Sequence, residues 1–209
     1  IDAWVARRAA SPDSRDLAYR GFLAALRDAG ALEALPLDAG GVLRVGVPFC
    51  QQFFEAPMLL PFLEERFLGQ GAAKAVAVAA NDVRPEAFWW PTWAAWAARA
   101  CGPGVHLDAR QLDLVAAAPP SAALTLGVHP EATKGGPWRT ILANVLRSCT
   151  PGGLCVFATF YRQEADAVVG ICGEQGWGCE VRENAHYHGE PTETVGTFLR
   201  FIVFARRAC

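Results

Sequence analysis

His129 lies in Gly127-Val128-His129-Pro130-Glu131. An imidazole titrates near neutral pH, so it can take a proton from a reacting group. Glu131 stands two positions further on, and Tyr161 follows a later apolar run. The plainer reading of His129 is a turn residue bonded to a local carbonyl ahead of proline. Asp82 and Asp108 each close an apolar run. A carboxylate there can accept hydrogen bonds from a ligand, or it can cap a helix or a turn. His186 and His188 share a polar loop with Glu190. Two histidines at this spacing are a weak metal pattern, and the expectation is a solvated loop with no metal.

These residues need elements to position them. Ser11-Pro12-Asp13 reads as a helix start. Tyr19, Phe22, Leu23 and Leu26 follow on one helical face, and Gly30 is a stop. Strands are expected at Val42–Val47, Ala75–Ala80, Val105–Leu107, Ala122–Val128, Leu154–Phe160, Cys179–Arg182 and Phe198–Phe204. Helices are expected at Leu59–Phe67, Pro85–Arg99, Trp138–Cys149 and Glu164–Gln175. Strands alternating with helices predict an α/β fold: a doubly wound, mostly parallel sheet with helices on both faces. The two successive strands at the end predict an antiparallel edge strand. The division expected is an N-terminal helical arm, 1–41, and an α/β domain, 42–209. In such a sheet a ligand sits beyond the carboxyl ends of the strands, where the strand order reverses. That points to Gly46–Cys50, Asp82, Asp108-Ala109, His129 and Tyr161.

The chain has 209 residues, 52% apolar and 19% charged, with a formal charge of −2. So few charges among so many apolar side chains exclude a largely disordered chain. The arginines are scattered, so there is no basic stripe and no nucleic-acid signal. The longest stretch free of Asp, Glu, Lys and Arg, Leu114–Pro130, is 17 residues and contains Pro119 and Pro120. A spanning helix needs ~20 unbroken apolar residues, so no transmembrane segment is expected. The seven cysteines form no C-x-x-C pair, and several lie in apolar runs. An intracellular, reducing compartment is the expectation. A chain that starts at Ile1 is expected to be trimmed or partial.

Three further pieces carry a resemblance. Asp82-Val83-Arg84-Pro85-Glu86-Ala87 closes the second strand; Asp108-Ala109 closes the third; Thr150-Pro151-Gly152-Gly153 precedes Leu154-Cys155-Val156-Phe157. In this order the chain resembles the class I S-adenosylmethionine-dependent methyltransferases, from about Val42 to Arg206. The resemblance implies S-adenosylmethionine as cofactor. It places Gly46 and Val47 at the first cofactor loop, Asp82 and Val83 at the ribose, and Asp108 and Ala109 at the adenine. It puts His129 at the catalytic pocket as base, with Glu131 or Tyr161 orienting the acceptor. The first motif departs from the family. Arg44 stands at the acid position, and only Gly46 remains of three glycines, with Pro48 and Cys50 at the other two. Gly46 and Asp82 are also 36 residues apart, where ~20 is usual for a nucleotide-binding unit.

Two functions follow as alternatives. One is a methyltransferase acting on a small acceptor. The other is a non-catalytic methyltransferase-fold subunit of a larger protein assembly. Trp89, Trp90, Trp93 and Trp96 crowd one predicted helix, and Phe49–Phe62 is aromatic and broken by prolines. These side chains either pack in the core or form a surface for a protein partner.

Overall fold

A computed structural model describes residues 14–51, 53–84, 99, 101–187 and 199–207. The four tryptophans at 89–96, His188 and Glu190 lie outside them, as does most of the helix expected at Pro85–Arg99. The elements in chain order are α1 (Ser14–Asp28), β1 (Val42–Val47), α2 (Ala56–Leu63), which runs on through a wider turn (Glu64–Leu68), and β2 (Ala75–Asp82). Then come β3 (Val105–Gln111), β4 (Ala122–Val128), a short 3-10 turn (Ala132–Lys134), α3 (Trp138–Ser148), β5 (Cys149–Thr159), α4 (Arg162–Glu174), β6 (Trp177–Glu183) and β7 (Phe201–Arg207).

The seven strands form one sheet in the order β3-β2-β1-β4-β5-β7-β6. The first five pair in parallel, and β7 is antiparallel to both β5 and β6. Alternation along each strand assigns the two faces. Leu154, Val156 and Ala158 of β5 pack with α1 and α2, whereas Cys155 and Phe157 pack with α3 and α4. Helices therefore cover both faces, and the doubly wound sheet with an antiparallel edge is the fold observed. Tyr19, Phe22, Leu23 and Leu26 of α1 are buried in the same cluster as Leu43, Val45 and Val47 of β1. Over its described part, the expected N-terminal arm is a layer of the sheet's own core.

Some boundaries differ from expectation. β3 does not stop at Asp108 but continues to Gln111, in register with β2 through Asp82. Strand β3 is an edge of the described sheet, and an edge strand tolerates charged side chains that a central strand would exclude. Asp108 is thus a mid-strand residue, half exposed and paired with Arg110. The helix before β5 ends at Ser148 rather than Cys149, and Thr150-Pro151-Gly152-Gly153 belongs to an irregular start of β5. There the register against β4 shifts between Ala122 and Leu124. Gly152 has φ +76°, and a Cβ on Gly153 would lie 2.7 Å from the Ala123 carbonyl oxygen. No described helix is long and apolar enough to cross a membrane.

Candidate functional site at the switch point

The strand order reverses between β1 and β4, and a cavity of about 500 Å³ opens there. Three loops build it: Val47–Gln51 after β1, Val128–Glu131 after β4, and Phe160-Tyr161 after β5. Phe54, Glu55 and Met58 at the start of α2, Tyr19 of α1, and Lys134, Glu164 and Leu199 also line it. The volume falls within the ~300–1,000 Å³ common to small-molecule sites.

The loop after β1 has unusual backbone. Phe49, Gln51 and Phe53 have φ of +43°, +50° and +48°, a region that costs a side chain of ordinary handedness about 1–2 kcal/mol. Hydrogen bonds and burial hold it there. The Cys50 amide donates to the Asn81 carbonyl at 3.0 Å, and the Phe53 amide donates to the Cys50 carbonyl at 2.8 Å. The Gln51 amide donates to Asp82 Oδ2 at 2.7 Å, and the Arg84 amide donates to Asp82 Oδ1 at 2.8 Å. Phe53 is fully buried. Phe49 meets Trp138 edge-on, with ring centroids 5.2 Å apart. The loop thus lies over the end of β2, and both oxygens of Asp82 already accept backbone amides.

After β4, His129 also has positive φ, +57°. Its amide donates to the Ala158 carbonyl at 2.9 Å, and its ring stacks on Phe160 with centroids 3.8 Å apart. Burial lowers its pKa to about 3. His129 is therefore neutral at pH 7. Its ring forms a flat part of the cavity wall. Glu131 pairs with Lys134 at 2.6 Å. Tyr161 is 60% exposed at the rim. Glu164 accepts the amides of Phe160 and Tyr161 at 3.1 and 3.3 Å, fixing the start of α4. The Cys50 thiol is pushed well above its ordinary range by burial and by the nearby carboxylates of Glu55 and Asp82. It stays protonated and is no nucleophile.

Of the residues read from sequence, Val47, Pro48, Phe49, Cys50, His129, Glu131 and Tyr161 line this cavity. Gly46 does not line it. It pairs with Ala79 and Thr125 inside the sheet, where a Cβ would lie 3.3 Å from the Ala122 Cβ. Asp82 is buried beside the cavity loop; Val83 is exposed, its carbonyl accepting the Gln111 side-chain amide at 2.8 Å. Asp108 pairs with Ala79 and Ala109 with Ala80, whereas Gln111 is the β3 residue opposite Asp82. Asp108 is thus three residues, about 10 Å, short of the crevice. Tyr19, Phe54, Glu55 and Phe160 were missed. Tyr19 belongs to a helical stripe that reads as core, and the others lie in loops where spacing carries no signal. His186 Nε2 lies 2.7 Å from Asp28 Oδ2. Among the described residues no cluster of three or more His, Cys, Asp or Glu could hold a metal ion.

No protein-family model and no curated protein matches the chain. Among solved structures it is similar to the CurJ carbon methyltransferase, with TM-score 0.55 and 12% identity over 90% of this chain and 54% of that one. It is similar to the DszA carbon methyltransferase, with TM-score 0.58 and 13% identity over 88% of this chain and 52% of that one. It spans about half the length of both. It is also similar to CalS10, an amino pentose methyltransferase from Micromonospora echinaspora involved in calicheamicin biosynthesis, with TM-score 0.54 and 14% identity over 100% and 97% of the two chains. That structure has S-adenosylmethionine bound. At such identities the likeness is one of architecture, and with the strand order it settles the fold: this chain has the fold of the class I S-adenosylmethionine-dependent methyltransferases.

Proposed function

We propose that the chain is an S-adenosylmethionine-dependent methyltransferase acting on a small acceptor in the switch-point cavity. The observation that carries this reading is the position of the cavity, at the carboxyl ends of β1, β4 and β5 in this fold. The residues at the end of β2 fit the cofactor's ribose by exchange. Asn81 is buried with neither side-chain atom hydrogen-bonded, and such orphaned polar atoms call for a polar ligand. Asp82 accepts the ribose hydroxyls once the Gln51 amide gives up its place. The bound cofactor supplies an electrophilic methyl group. The chain's own part is to hold the acceptor against it and keep water out. His129 and Phe160 form a flat apolar wall for that purpose, and Glu131 and Tyr161 stand at the rim. Asp108 and Ala109 take no part, because they lie short of the crevice.

One observation favours the second reading, a non-catalytic subunit with this fold. Both Asp82 oxygens are satisfied by the chain itself, and side chains occupy the glycine positions of the loop. Thermal melting separates the two. A ligand that binds only the folded state at 100 times its dissociation constant adds about 2.7 kcal/mol. The enzyme reading expects millimolar S-adenosylmethionine to raise the melting temperature. An unchanged melting temperature removes it and leaves the subunit.

A further inference from the structure

The cavity has two sides, divided by β1. The end of β2, with Asn81 and Asp82, lies on one; the loops after β4 and β5 lie on the other. The wall on the second side is aromatic: His129 and Phe160, whose rings stack with centroids 3.8 Å apart, and Tyr161 at the rim. Its charged groups are already matched inside the protein. Glu131 and Lys134 pair at 2.6 Å. Glu164 Oε2 accepts the amides of Phe160 and Tyr161 at 3.1 and 3.3 Å. Glu55, at the start of α2, is engaged as well. A charged ligand group on this side would have to break one of these contacts or do without a counter-ion, and an unpaired charge away from water is costly. A neutral ligand meets no such cost. The rings add a preference for a flat partner, since aromatic pairs gain more than their buried area alone supplies.

The hydroxyl of Tyr19 supplies a polar anchor. Tyr19 lines the cavity and is 2% exposed, and its hydroxyl has no hydrogen-bond partner among the described residues. A buried polar atom without a partner calls for one. A tyrosine hydroxyl both donates and accepts, so an uncharged hydroxyl pairs with it in either sense.

We propose that the cavity binds a neutral aromatic alcohol, its ring among His129, Phe160 and Tyr161 and its hydroxyl paired with that of Tyr19. This names the acceptor class of the site in the functional reading above. It rests on the cavity being the ligand site, and it does not require the methyl donor to be present.

The test is a ligand-observed NMR titration of the full chain at pH 7, without cofactor. The probes are 2-phenylethanol, 2-cyclohexylethanol, ethylbenzene, 2-phenylethylamine and 3-phenylpropionate. The aromatic alcohol is expected to bind at least about threefold more tightly than its saturated counterpart. It is expected to bind at least about tenfold more tightly than either charged probe. Tyr19→Phe removes one oxygen and nothing else. It is expected to weaken 2-phenylethanol about fivefold, the scale of one neutral hydrogen bond. Ethylbenzene affinity and the melting temperature should not fall. No binding of 2-phenylethanol, equal affinity for the cyclohexyl probe, or equal or tighter binding of the amine or the carboxylate overturns the proposal. So does full 2-phenylethanol affinity in Tyr19→Phe. S-adenosylmethionine, titrated separately, reports on the methyltransferase reading alone. Alcohol binding without cofactor binding sinks that reading and leaves this one standing; cofactor binding without the alcohol preference does the reverse.

Discussion

The backbone amide of Gln51 donates to Oδ2 of Asp82 across 2.7 Å, joining residues 31 positions apart. This bond ties the loop after β1 to the end of β2. It lets the loop keep a glycine-like backbone without glycines, because a buried carboxylate pins it from below. The same bond makes Asp82 a structural residue, and the proposed function asks it to release that bond to a ligand.

Asp82→Ala leaves the Gln51 and Arg84 amides without their acceptor. Hydrogen bonds to a charged partner are worth about 1.5–3 kcal/mol each, so the expected loss is about 2–4 kcal/mol, part of it recovered by water. Urea unfolding measures it. A loss under about 0.5 kcal/mol, the size of an ordinary surface change, would show that Asp82 braces nothing.

The strained loop should answer differently at two of its positions. Gln51→Gly relieves a φ of +50° at an exposed side chain, and a gain of about 1 kcal/mol is expected. Phe53→Gly relieves a similar φ but empties a fully buried site. A loss of about 3–5 kcal/mol is expected there. The opposite order in thermal or urea unfolding would mean that the loop does not have this backbone.

Gly127 sits beneath the cavity. A Cβ added there would lie 2.6 Å from Phe49 Cζ and 2.8 Å from Phe157 Cδ1. Phe157 is locked in the core, so Phe49 must give way. Gly127→Ala is expected to cost about 1–3 kcal/mol and to weaken binding of any cavity ligand. Unchanged stability with unchanged binding would contradict the packing.

His129 sets a pH dependence. The unfolded chain protonates it near the ordinary 6.5, whereas the folded chain resists until about 3. Between those values the unfolded state binds more protons, so this contribution is complete above pH 6.5 and is lost as pH falls toward 3. The expected slope is about 1.4 kcal/mol per pH unit. His129→Asn keeps a residue tolerant of positive φ and removes the titration. Unfolding free energies of the two proteins should converge from pH 6.5 to 5, and parallel curves would show that His129 is not buried neutral.

Much of the fold was legible because strands and helices alternate plainly. Val42–Val47 and Ala122–Val128 read as buried strands and are strands. The site was less legible, for local reasons. Asp108 looked like a strand end because an acid after Val105–Leu107 suggests a turn, but an edge strand carried it onward. Tyr19 gave no sign beyond its helical spacing, since one hydroxyl at the end of an apolar stripe does not alter the pattern. Phe49, Gln51 and Phe53 hid a loop conformation that glycines would have announced.

The most direct test is amide hydrogen exchange at Gln51, followed by NMR with and without S-adenosylmethionine. In the free protein the Asp82 bond should protect this amide. On binding, the account predicts that its protection falls as the ribose takes the carboxylate, with resonances of Val47, His129 and Tyr161 shifting together. Cofactor that leaves Gln51 protected and those resonances in place would contradict the account.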